Sequence, residues 1–391
     1  MTPAARIAAA IGLLDLWLGG EPAERALTNW ARANRFAGSS DRAAIRDHVF
    51  DAIRCRRSFA ALGGAETGRG LMLGALRAAG ADPAGVFTGA GFAPAPLASD
   101  EVASGRPWEA LSPLERLDCP DWLAPPLEDS LGDDFAAVMA ALRSRAPVFL
   151  RVNLGRADRD AAVRALATEG ITARPHPLAA TALEVTEGAR RIRGARAYVD
   201  GLVELQDAAS QAVVEALGPA PTGAARTLDY CAGGGGKTLA LAAAGWGPVF
   251  AHDADPGRMR DLPERAARAG VQVGVIAPGR VAPQGPFDLV LCDVPCSGSG
   301  AWRRQPEAKW ALTPEALGRL CRVQSDILDA AAGLVAPGGR LAYATCSMLR
   351  AENEDQAAAF LARSPGWRLL AQRRWSPLEG GDGFGLSIFA R

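Results

Sequence analysis

Two cysteines stand in short turns where their thiols could do chemistry. Cys296 lies in Asp-Val-Pro-Cys-Ser-Gly at 293–298, and Cys346 lies in Ala-Thr-Cys-Ser at 344–347. Each turn follows an apolar run, 287–293 or 339–344, with the pattern of a buried strand. Ligands of an open parallel sheet bind beyond the carboxyl ends of its strands. We therefore expect both thiols to face the same crevice.

A reactive thiol needs positive charge nearby. A cysteine with the ordinary pKa of about 8.5 is mostly protonated at neutral pH, so a nucleophilic cysteine requires an electropositive, partly exposed setting. Arg303, Arg304 and Lys309 follow Cys296 closely and can supply this charge. We therefore include Lys309 among the candidate catalytic residues.

Zinc binding and inert burial account less well for these cysteines. A zinc site would need further ligands, and none of the three histidines, at 48, 176 and 252, is near either turn. We predict no metal site. Inert burial suits Cys55, Cys119 and Cys292 better than it suits cysteines in polar turns.

A glycine-rich turn follows a predicted strand at 226–230 and opens a helix at 237–244. Its residues are Cys231, Ala232, Gly233, Gly234, Gly235, Gly236 and Lys237. Glycines let backbone amides approach a ligand closely. Asp253 ends the next predicted strand, where an acid can bind the hydroxyl pair of a ribose. The turn, its flanking elements and the spaced acid predict a nucleoside-containing cofactor.

The same turn also imitates the phosphate-binding loop of an ATPase. That loop needs glycine at the position of Cys231, and an ATPase would leave the two turn cysteines without a task. Retention of ATP in the presence of magnesium would support this alternative.

These turns lie in a region where strands and helices alternate from residue 203 onward. We predict helices at 206–217 and 237–244, a long helix from Thr313, and strands at 226–230, 248–252, 271–276, 287–293, 339–344, 367–375 and 383–390. Alternation of this kind is typical of a doubly wound α/β sheet.

The preceding part of the chain has a different pattern. Residues 1–79 carry apolar side chains at helical spacing, with Ser39, Ser40 and Asp41 as an N-cap for a helix at 42–57. Residues 80–107 are rich in Gly, Pro and Ala and indicate a loop. A helix at 120–144, a strand at 148–152, a helix capped by Asp158 and one or two strands at 171–186 then predict a small α/β unit.

Two arginine clusters are candidates for contacts to a phosphate backbone, although a solvated helix end and a basic loop account for them as well. The clusters are Arg54, Arg56 and Arg57, and Arg190, Arg191, Arg193 and Arg196.

The composition narrows the setting in which the protein works. With 43 basic and 43 acidic residues, no global field draws the protein to nucleic acid, so any such contact must be local. Seven cysteines without disulfide-framework spacing favour a reducing compartment. The apolar stretch at 2–19 is interrupted by Arg6 and Asp15 and is too short to span a membrane. We predict a cytoplasmic, monomeric protein with no membrane partner.

Several motifs together resemble the bacterial Sun/RsmB-type RNA cytosine-5 methyltransferases, which are related to the NSUN proteins. They are Asp-Val-Pro-Cys-Ser-Gly at 293–298, Arg-Arg-Gln-Pro-Glu-Ala-Lys-Trp at 303–310, Gln-Ser-Asp-Ile-Leu at 324–328, Tyr-Ala-Thr-Cys-Ser at 343–347, Glu-Asn-Glu at 352–354 and Asp-Gly-Phe at 382–384. In combination they are highly specific, and they cover about residues 203–391. Residues 41–57 and 148–153 more loosely resemble the family's NusB-like domain and its small domain.

The resemblance implies three domains. A Rossmann-like class I methyltransferase domain at 203–391 is preceded by an all-α, NusB-like RNA-binding domain at 1–125 and a small α/β domain at 126–202. The implied cofactor is S-adenosyl-L-methionine, and the implied substrate is a cytosine in RNA, small-subunit ribosomal RNA in particular. The partner is therefore RNA.

The resemblance also implies the role of each site residue. It makes Cys346 the nucleophile and Cys296 the cysteine that assists release of the product. The cofactor loop falls on 231–237 and the ribose acid on Asp253. Asp293 corresponds to the acid before Pro-Cys, and we include it in both the catalytic and the cofactor-binding sets.

The chemistry of cytosine agrees with these roles. Carbon 5 is too weak a nucleophile to take a methyl group, but addition of a thiolate at carbon 6 makes an enamine that can attack a sulfonium. Asp293, protonated or sharing a proton, can stabilise the charge at N3. A base, for which Cys296 is the candidate, must then remove the carbon 5 proton so that Cys346 can leave. The target base must also leave its stack, which suits single-stranded or loop RNA.

This chain departs from the family pattern in two places. Gly233 and Gly234 replace the usual alanine and proline of the cofactor loop, and Ala-Pro-Gly at 277–279 stands where an acid is expected after the third strand. These departures motivate an alternative, a non-catalytic RNA-binding assembly factor with the methyltransferase fold. A reversed assignment, with Cys296 as the nucleophile, is a further alternative. Calorimetry with S-adenosylmethionine and substitution of each cysteine would distinguish these possibilities.

Overall fold

The computed structural model describes residues 1–220 and 225–391, and these fall into two compact units. The first unit contains residues 1–145 and, from much later in the chain, residues 302–311. The second contains residues 146–301 and 312–391. Among the residues described, no helix is both long and apolar enough to cross a membrane.

The first unit is helical, as the spacing of its apolar residues predicts. Its core joins Leu14, Ile45, Ile53 and Leu71, which are fully buried. The helices up to residue 145 are α1 (Pro3–Leu18), α2 (Ala23–Ala33), α3 (Ser39–Arg54), α4 (Arg56–Gly63), α5 (Gly68–Ala78), α6 (Ser99–Ala103), α7 (Pro113–Arg116), α8 (Ala124–Leu131) and α9 (Phe135–Ala141).

The predicted start of α3 is wrong by one turn. The helix begins at Ser39, with Gly38 in the cap position, and Asp41 lies inside its first turn. The Asp41 carboxylate accepts a hydrogen bond of 2.8 Å from Arg6 Nε. Because Arg6 binds this carboxylate, Asp41 joins α1 to α3 instead of capping the helix.

The second unit opens with a small antiparallel sheet that matches the predicted α/β unit. Its strand order is β2-β3-β1-β4, and α10 is capped by Asp158, whose side chain accepts from Ala161 N at 2.7 Å. The elements are β1 (Val148–Val152), α10 (Arg159–Thr168), β2 (Thr172–Pro175), β3 (Ala182–Glu187), α11 (Arg196–Val199) and β4 (Val203–Leu205).

The rest of the second unit alternates strands and helices around one large sheet. Its elements are α12 (Ala208–Glu215), β5 (Thr227–Asp229), α13 (Gly236–Ala243), β6 (Val249–Ala251), α14 (Leu262–Ala269), β7 (Val273–Val275), β8 (Phe287–Asp293), α16 (Pro314–Ala332), β9 (Val335–Thr345), α17 (Glu354–Arg363), β10 (Arg368–Trp375) and β11 (Phe384–Ala390). The helix α15 (Pro306–Ala311) comes from the same stretch of sequence but belongs to the first unit.

The large sheet has the order β10-β11-β9-β8-β5-β6-β7. Strands β5 to β9 are parallel, whereas β11 runs antiparallel to both β9 and β10. The chain moves outward from β5 through β6 to β7 and then returns to the other side of β5 with β8. This reversal places the carboxyl ends of β5 and β8 side by side, where open α/β sheets bind ligands.

Both faces of the sheet are covered, which explains its continuous apolar strands. Along β8, Leu289 and Leu291 pack into one buried cluster and Val290 and Cys292 into the other. Successive side chains of a strand point to opposite faces, so one strand contributes to both cores. The predicted α/β fold class is confirmed, with a helical region and a small sheet before it.

The compact units follow different limits from the predicted domains. The first unit extends to Arg145, and β4 at Val203–Leu205 pairs with β1 in the small sheet. The functional division at 1–125, 126–202 and 203–391 stays a prediction.

Candidate active site

The two turn cysteines meet at one edge of the large sheet. Strands β8 and β9 are parallel neighbours, with Asp293 opposite Ala344. The turns that follow the two strands therefore begin side by side at the same edge of the sheet. The Sγ atoms of Cys296 and Cys346 are 3.3 Å apart. Both cysteines are free and partly exposed. The expectation that the thiols face the same place is confirmed.

The contact between the thiols favours the protonated form of Cys296. The hydrogen bond with Cys346, together with burial, raises the pKa of Cys296 well above its ordinary value. Cys296 therefore keeps its proton at neutral pH. Either sulfur can be the donor in the contact.

The turn that carries Cys346 is held by Asn353. Asn353 Oδ1 accepts a hydrogen bond of 2.6 Å from Thr345 Oγ1, while its Nδ2 donates to the carbonyls of Ser347 and Leu349 at 3.1 and 2.8 Å. Gly300 N donates to the Cys346 carbonyl at 3.0 Å. These bonds fix the backbone on both sides of the thiol.

Asp293 and Lys237 form an ion pair at the carboxyl end of β8. Lys237 Nζ lies 2.7 Å from Asp293 Oδ2 and 4.7 Å from the centre of the Phe384 ring. Lys237 is almost fully buried, whereas the side chain of Asp293 remains about one third exposed. Lys237 thus joins the glycine-rich turn to the strand that leads to Cys296.

The glycine-rich turn has the backbone geometry that its sequence predicts. Gly233 and Gly235 have φ of +52° and +80°, and a Cβ on Gly235 would lie 2.4 Å from Leu262 Cδ1. Gly236 begins α13 and accepts a hydrogen bond of 2.7 Å from Arg151 of β1. Cys231 and Ala232 start the turn, and Ala232 N donates to the His252 carbonyl at 2.8 Å.

Asp253 lies against this turn. Its Oδ2 accepts a hydrogen bond of 2.8 Å from Gly233 N and lies 3.3 Å from Arg258 Nη1. Its Oδ1 accepts from Asp255 N at 2.9 Å. A carboxylate has about four lone-pair positions, so these bonds leave acceptor capacity for ribose hydroxyls.

Two arginines occupy the space that the unusual glycines leave open. A Cβ on Gly233 would lie 3.1 Å from Arg258 Nη2, and one on Gly234 would lie 3.3 Å from Arg265 Nη1. Arg265 also donates to the Gly234 carbonyl and pairs with Glu204 at 3.4 Å. The arginine side chains therefore lie where the side chains of the usual alanine and proline would begin.

Asp229 belongs to this site although the sequence pattern alone does not select it. It ends β5, two residues before Cys231, and is fully buried. Its Oδ2 accepts from Thr238 Oγ1 at 2.7 Å, whereas Oδ1 has no hydrogen-bond partner within the described part of the chain. Burial raises the pKa of Asp229 to about 7. An acid that ends the strand before a glycine-rich turn was the available signal.

Lys309 lies in α15 of the first unit. Its Nζ donates a hydrogen bond of 3.2 Å to the Arg54 carbonyl, and burial lowers the pKa of Lys309 to about 8. Trp310 Nε1 donates to the neighbouring Ile53 carbonyl at 2.7 Å. These bonds satisfy carbonyl groups in the last turn of α3. This structural role explains a lysine at position 309 without any role in catalysis. A catalytic role for Lys309 stays a prediction.

The buried cysteines differ from the turn cysteines as the sequence predicts. Cys55, Cys119 and Cys292 are buried. Burial raises the pKa of Cys55 to about 12 and that of Cys119 to about 11. Buried thiols of this kind are inert.

The third strand provides no acid for a nucleoside. After β7 the chain continues through Ala277, Pro278 and Gly279, as the departure from the family pattern predicts. The residues that can contact a nucleoside cofactor therefore lie at the ends of β5, β6 and β8.

These features define a class of protein. A parallel-dominated sheet with a reversal between its central strands, a glycine-rich turn after β5 and an acid after β6 is the Rossmann-like methyltransferase fold. Residues 216–385 match the family described as 16S rRNA methyltransferase RsmB/F, and residues 119–190 match the ferredoxin-like domain of RsmF/B-like methyltransferases. Across these two regions the chain is similar to the RsmB/F methyltransferases.

Curated relatives agree with this family. Ribosomal RNA small subunit methyltransferase B of Vibrio vulnificus is 35% identical over 264 residues, which are 66% of this chain and 61% of the relative. The protein of that name from Cronobacter sakazakii is 36% identical over 256 residues, 64% of this chain and 59% of the relative. The chain thus spans about three fifths of the length of these relatives.

Solved structures show the same fold. A methyltransferase homolog protein from Pyrococcus horikoshii has a TM-score of 0.62 and 25% identity and covers 73% of this chain and 99% of its own. The protein PH0851 has a TM-score of 0.76 over 100% of this chain and 99% of its own, with 22% identity.

Proposed function

We propose that the protein transfers a methyl group from S-adenosyl-L-methionine to carbon 5 of a cytosine in RNA, specifically in small-subunit ribosomal RNA. The observation that carries this proposal is the 3.3 Å separation of the Cys296 and Cys346 sulfurs beside the cofactor turn. Substitution at carbon 5 requires one group to add to carbon 6 and a second to remove the carbon 5 proton. Two thiols at this distance can reach neighbouring atoms of a single ring.

The described residues fit S-adenosylmethionine. The turn at 231–236 presents backbone amides, and Asp253 offers acceptors for ribose hydroxyls. The unpartnered Oδ1 of Asp229 can accept from the ammonium of the methionine part. When bound, the cofactor supplies an electrophilic methyl group on a sulfonium.

The thiols act in sequence. Cys346, as thiolate, forms a bond to carbon 6, and the electron pair moves to carbon 5 and N3. Asp293, protonated or sharing a proton with Lys237 at 2.7 Å, donates that proton to N3 and stabilises the adduct. After methyl transfer, the Cys296 proton passes to solvent and the resulting thiolate takes the proton from carbon 5. The bond between Cys346 and carbon 6 then breaks, N3 returns its proton to Asp293, and 5-methylcytosine leaves.

The substrate class follows from access to the base. A cytosine inside a helix cannot present carbon 6 to a thiol, so the target must be unpaired or flipped out. RNA loops offer such bases. The curated relatives carry the name of ribosomal RNA small subunit methyltransferase B, which supports ribosomal RNA as the substrate. The proposal also includes action in the cytoplasm as a monomer.

Substitution of each cysteine tests the proposal. In an assay with radiolabelled S-adenosylmethionine and unmodified small-subunit ribosomal RNA, Cys346→Ala should abolish transfer. Cys296→Ala should accumulate a covalent protein–RNA adduct that survives a denaturing gel, because the carbon 5 proton is not removed. Cys321→Ala, a partly exposed cysteine on α16, is the matched control and should retain activity.

Different outcomes identify the alternatives. Near-normal turnover of Cys346→Ala would contradict the assigned roles, and an adduct formed only by Cys346→Ala would reverse them. If calorimetry detects no binding of S-adenosylmethionine even at millimolar concentration, the protein is a non-catalytic RNA-binding factor.

A further inference from the structure

Glu352 is a buried carboxylate to which the proposed chemistry assigns no task. It lies in the short turn Arg350–Glu352 between β9 and α17 and has no exposed surface. A buried carboxylate is costly unless hydrogen bonds satisfy it. Its contacts therefore indicate why an acid stands here.

Four neutral donors surround this carboxylate. Glu352 Oε1 accepts from Ser297 N at 2.8 Å and from Gln324 Nε2 at 2.9 Å. Glu352 Oε2 accepts from the hydroxyls of Ser297 and Ser347. The backbone carbonyl of Glu352 accepts from Tyr343 OH at 2.6 Å. The carboxylate and the backbone carbonyl of Glu352 thus both accept hydrogen bonds from the sheet, its turns and α16.

Three of the four donors belong to the residues that follow the two cysteines. Ser297 follows Cys296 in the first turn, and Ser347 follows Cys346 in the second. Gln324 also donates to the Pro295 carbonyl at 3.0 Å, on the other side of Cys296. One carboxylate therefore bonds to both turns at the positions adjacent to the sulfurs.

The hydroxyl groups face a carboxylate that can only accept from them. Ser347 Oγ also accepts from Leu349 N at 3.0 Å, and Ser297 Oγ accepts from Ser299 N at 3.3 Å. Ser347 Oγ lies 3.0 Å from Ser299 Oγ and 3.3 Å from Ser297 Oγ, contacts in which either hydroxyl can be the donor. An ionised carboxylate accepts at both oxygens, whereas a glutamine side chain accepts at only one. Glutamine can keep the bonds at Oε1 but must face the two hydroxyls with an NH2 group.

We propose that Glu352 is a positioning residue that sets the separation of the Cys296 and Cys346 sulfurs. Its hydrogen bonds reach the two turns through Ser297 and Ser347, and its charge also raises the pKa of Cys296. Its effect on the reaction rests on the proposed function, whereas its effect on the geometry of the thiols does not.

The rate of disulfide formation measures this geometry directly and needs no catalysis. Diamide accepts two electrons and two protons from a pair of thiols, becomes the hydrazine and leaves a disulfide. Peptide mapping by mass spectrometry identifies the bond between Cys296 and Cys346 among the seven cysteines. The variants are Glu352→Gln and, as matched control, Glu354→Gln two residues later, where the carboxylate pairs with Arg374 instead.

In the wild-type protein we expect rapid formation of this disulfide, and in Glu352→Gln a rate lower by about tenfold or more. The kcat for methyl transfer should fall by about 100-fold, the usual cost of a 1 Å misplacement, while KM for S-adenosylmethionine changes by less than about twofold. Glu354→Gln should match the wild type in both assays. If Glu352→Gln unfolds, Ser347→Ala, which removes one donor, should give the same pattern with a smaller effect.

A wild-type rate of disulfide formation in folded Glu352→Gln, or in Ser347→Ala, would overturn the proposal. An equal fall in Glu354→Gln would also overturn it, since the effect would not be specific to this carboxylate. Absence of methyl transfer in the wild-type protein would contradict the proposed function alone, because disulfide formation would still decide the role of Glu352.

Discussion

In the proposed reaction, the hydrogen bond between Cys296 and Cys346 distinguishes two chemically identical side chains. That bond, with burial, raises the pKa of Cys296, so Cys296 begins the reaction with its proton. In the proposed reaction Cys346 becomes a thioether, whose sulfur is a weak acceptor, so the first cause of the raised pKa of Cys296 is weakened. The Cys296 proton can then pass to solvent, and the thiolate can take the proton from carbon 5.

Asp229 predicts a pH dependence of cofactor binding. Because burial raises its pKa to about 7, Asp229 is neutral below that pH and charged above it. The affinity for S-adenosylmethionine, measured by calorimetry, should rise between about pH 6 and 8. Asp229→Asn should bind about tenfold more weakly at pH 8 and lose this dependence. Asp288→Asn, which changes an exposed acid at the start of β8, should behave as the wild type.

The raised pKa of Asp229 also predicts how the free energy of unfolding changes with pH. The folded protein holds the Asp229 proton up to a pKa of about 7, whereas the ordinary pKa of the group is 3.8. Between these values the folded state binds more protons, so the free energy of unfolding attributable to this group falls as pH rises. Urea denaturation without cofactor should show this fall in the wild type and its absence in Asp229→Asn. An unchanged slope in the variant would contradict the assignment.

Functional residues in recognisable turns after strands can be found from the sequence. Residues whose properties depend on burial in the folded protein are missed. Cys296, Cys346 and Gly233 could be selected because each stands at the end of an apolar run. Asp229 was missed, although it is an acid that ends the strand before a glycine-rich turn, because the sequence does not show its burial or its isolated Oδ1. Lys309 was selected for its charge, but its contacts lie in the helical unit.

At the scale of elements, a close backbone contact between Gly300 and Gly383 supports the two cysteine turns. A Cβ on Gly300 would lie 1.9 Å from the Gly383 carbonyl oxygen, and Gly383 N donates to the Gly300 carbonyl at 3.0 Å. Gly300 N in turn donates to the Cys346 carbonyl. The loop before β11 therefore supports the turn after β8 and, through it, the turn after β9.

Gly300→Ala should therefore lower the free energy of unfolding by about 2–3 kcal/mol, because the added methyl meets backbone that cannot move aside. Methyl transfer should fall with it, since the bond to the Cys346 carbonyl is displaced. Gly318→Ala in α16 is the control. Its nearest neighbour would be 3.8 Å away, and it should stabilise by about 0.5–1 kcal/mol. Equal stability of the two variants in urea denaturation would refute this reasoning.

The identity of most elements was predictable, whereas their partners were not. Strand β1 and the cap of α10 at Asp158 agree with the prediction because local signals determine them. The predicted cap at Asp41 was wrong, because the Asp41 carboxylate binds Arg6, which is far away in sequence, and lies inside the first turn of α3. The antiparallel pairing of β11 with β9 depends on chain reversal and leaves no local pattern.

At the scale of the whole molecule, sequence order and spatial grouping differ. Residues 302–311 follow the Cys296 turn directly, yet they fold with the helices of the first unit. Trp310 and Ile53 bond across 257 residues of sequence. No pattern within a short window predicts such a contact. For this reason the sequence alone assigns the segment that carries Lys309 to the catalytic region.

The balanced charge of the chain makes RNA binding depend on local arginines, and this can be measured. Arg190 and Arg193 are exposed in the turn Ala189–Gly194 of the second unit. If both contact phosphates, changing both to glutamine should weaken binding of single-stranded ribosomal RNA equally across sequences. It should also reduce the slope of log affinity against log salt by about 1.4, because each phosphate contact contributes about 0.7. Fluorescence anisotropy over a salt series gives this slope.

The control for this experiment keeps the change in net charge the same. Arg319 and Arg322 are exposed on α16, and their double change to glutamine removes the same two charges. If attraction came from the overall field, both double variants would reduce the slope alike. A local contact surface at 189–194 requires that only the first pair does so, since charges beyond a Debye length of about 10 Å are screened. An unchanged slope for the Arg190 and Arg193 variant would remove this turn from the RNA interface.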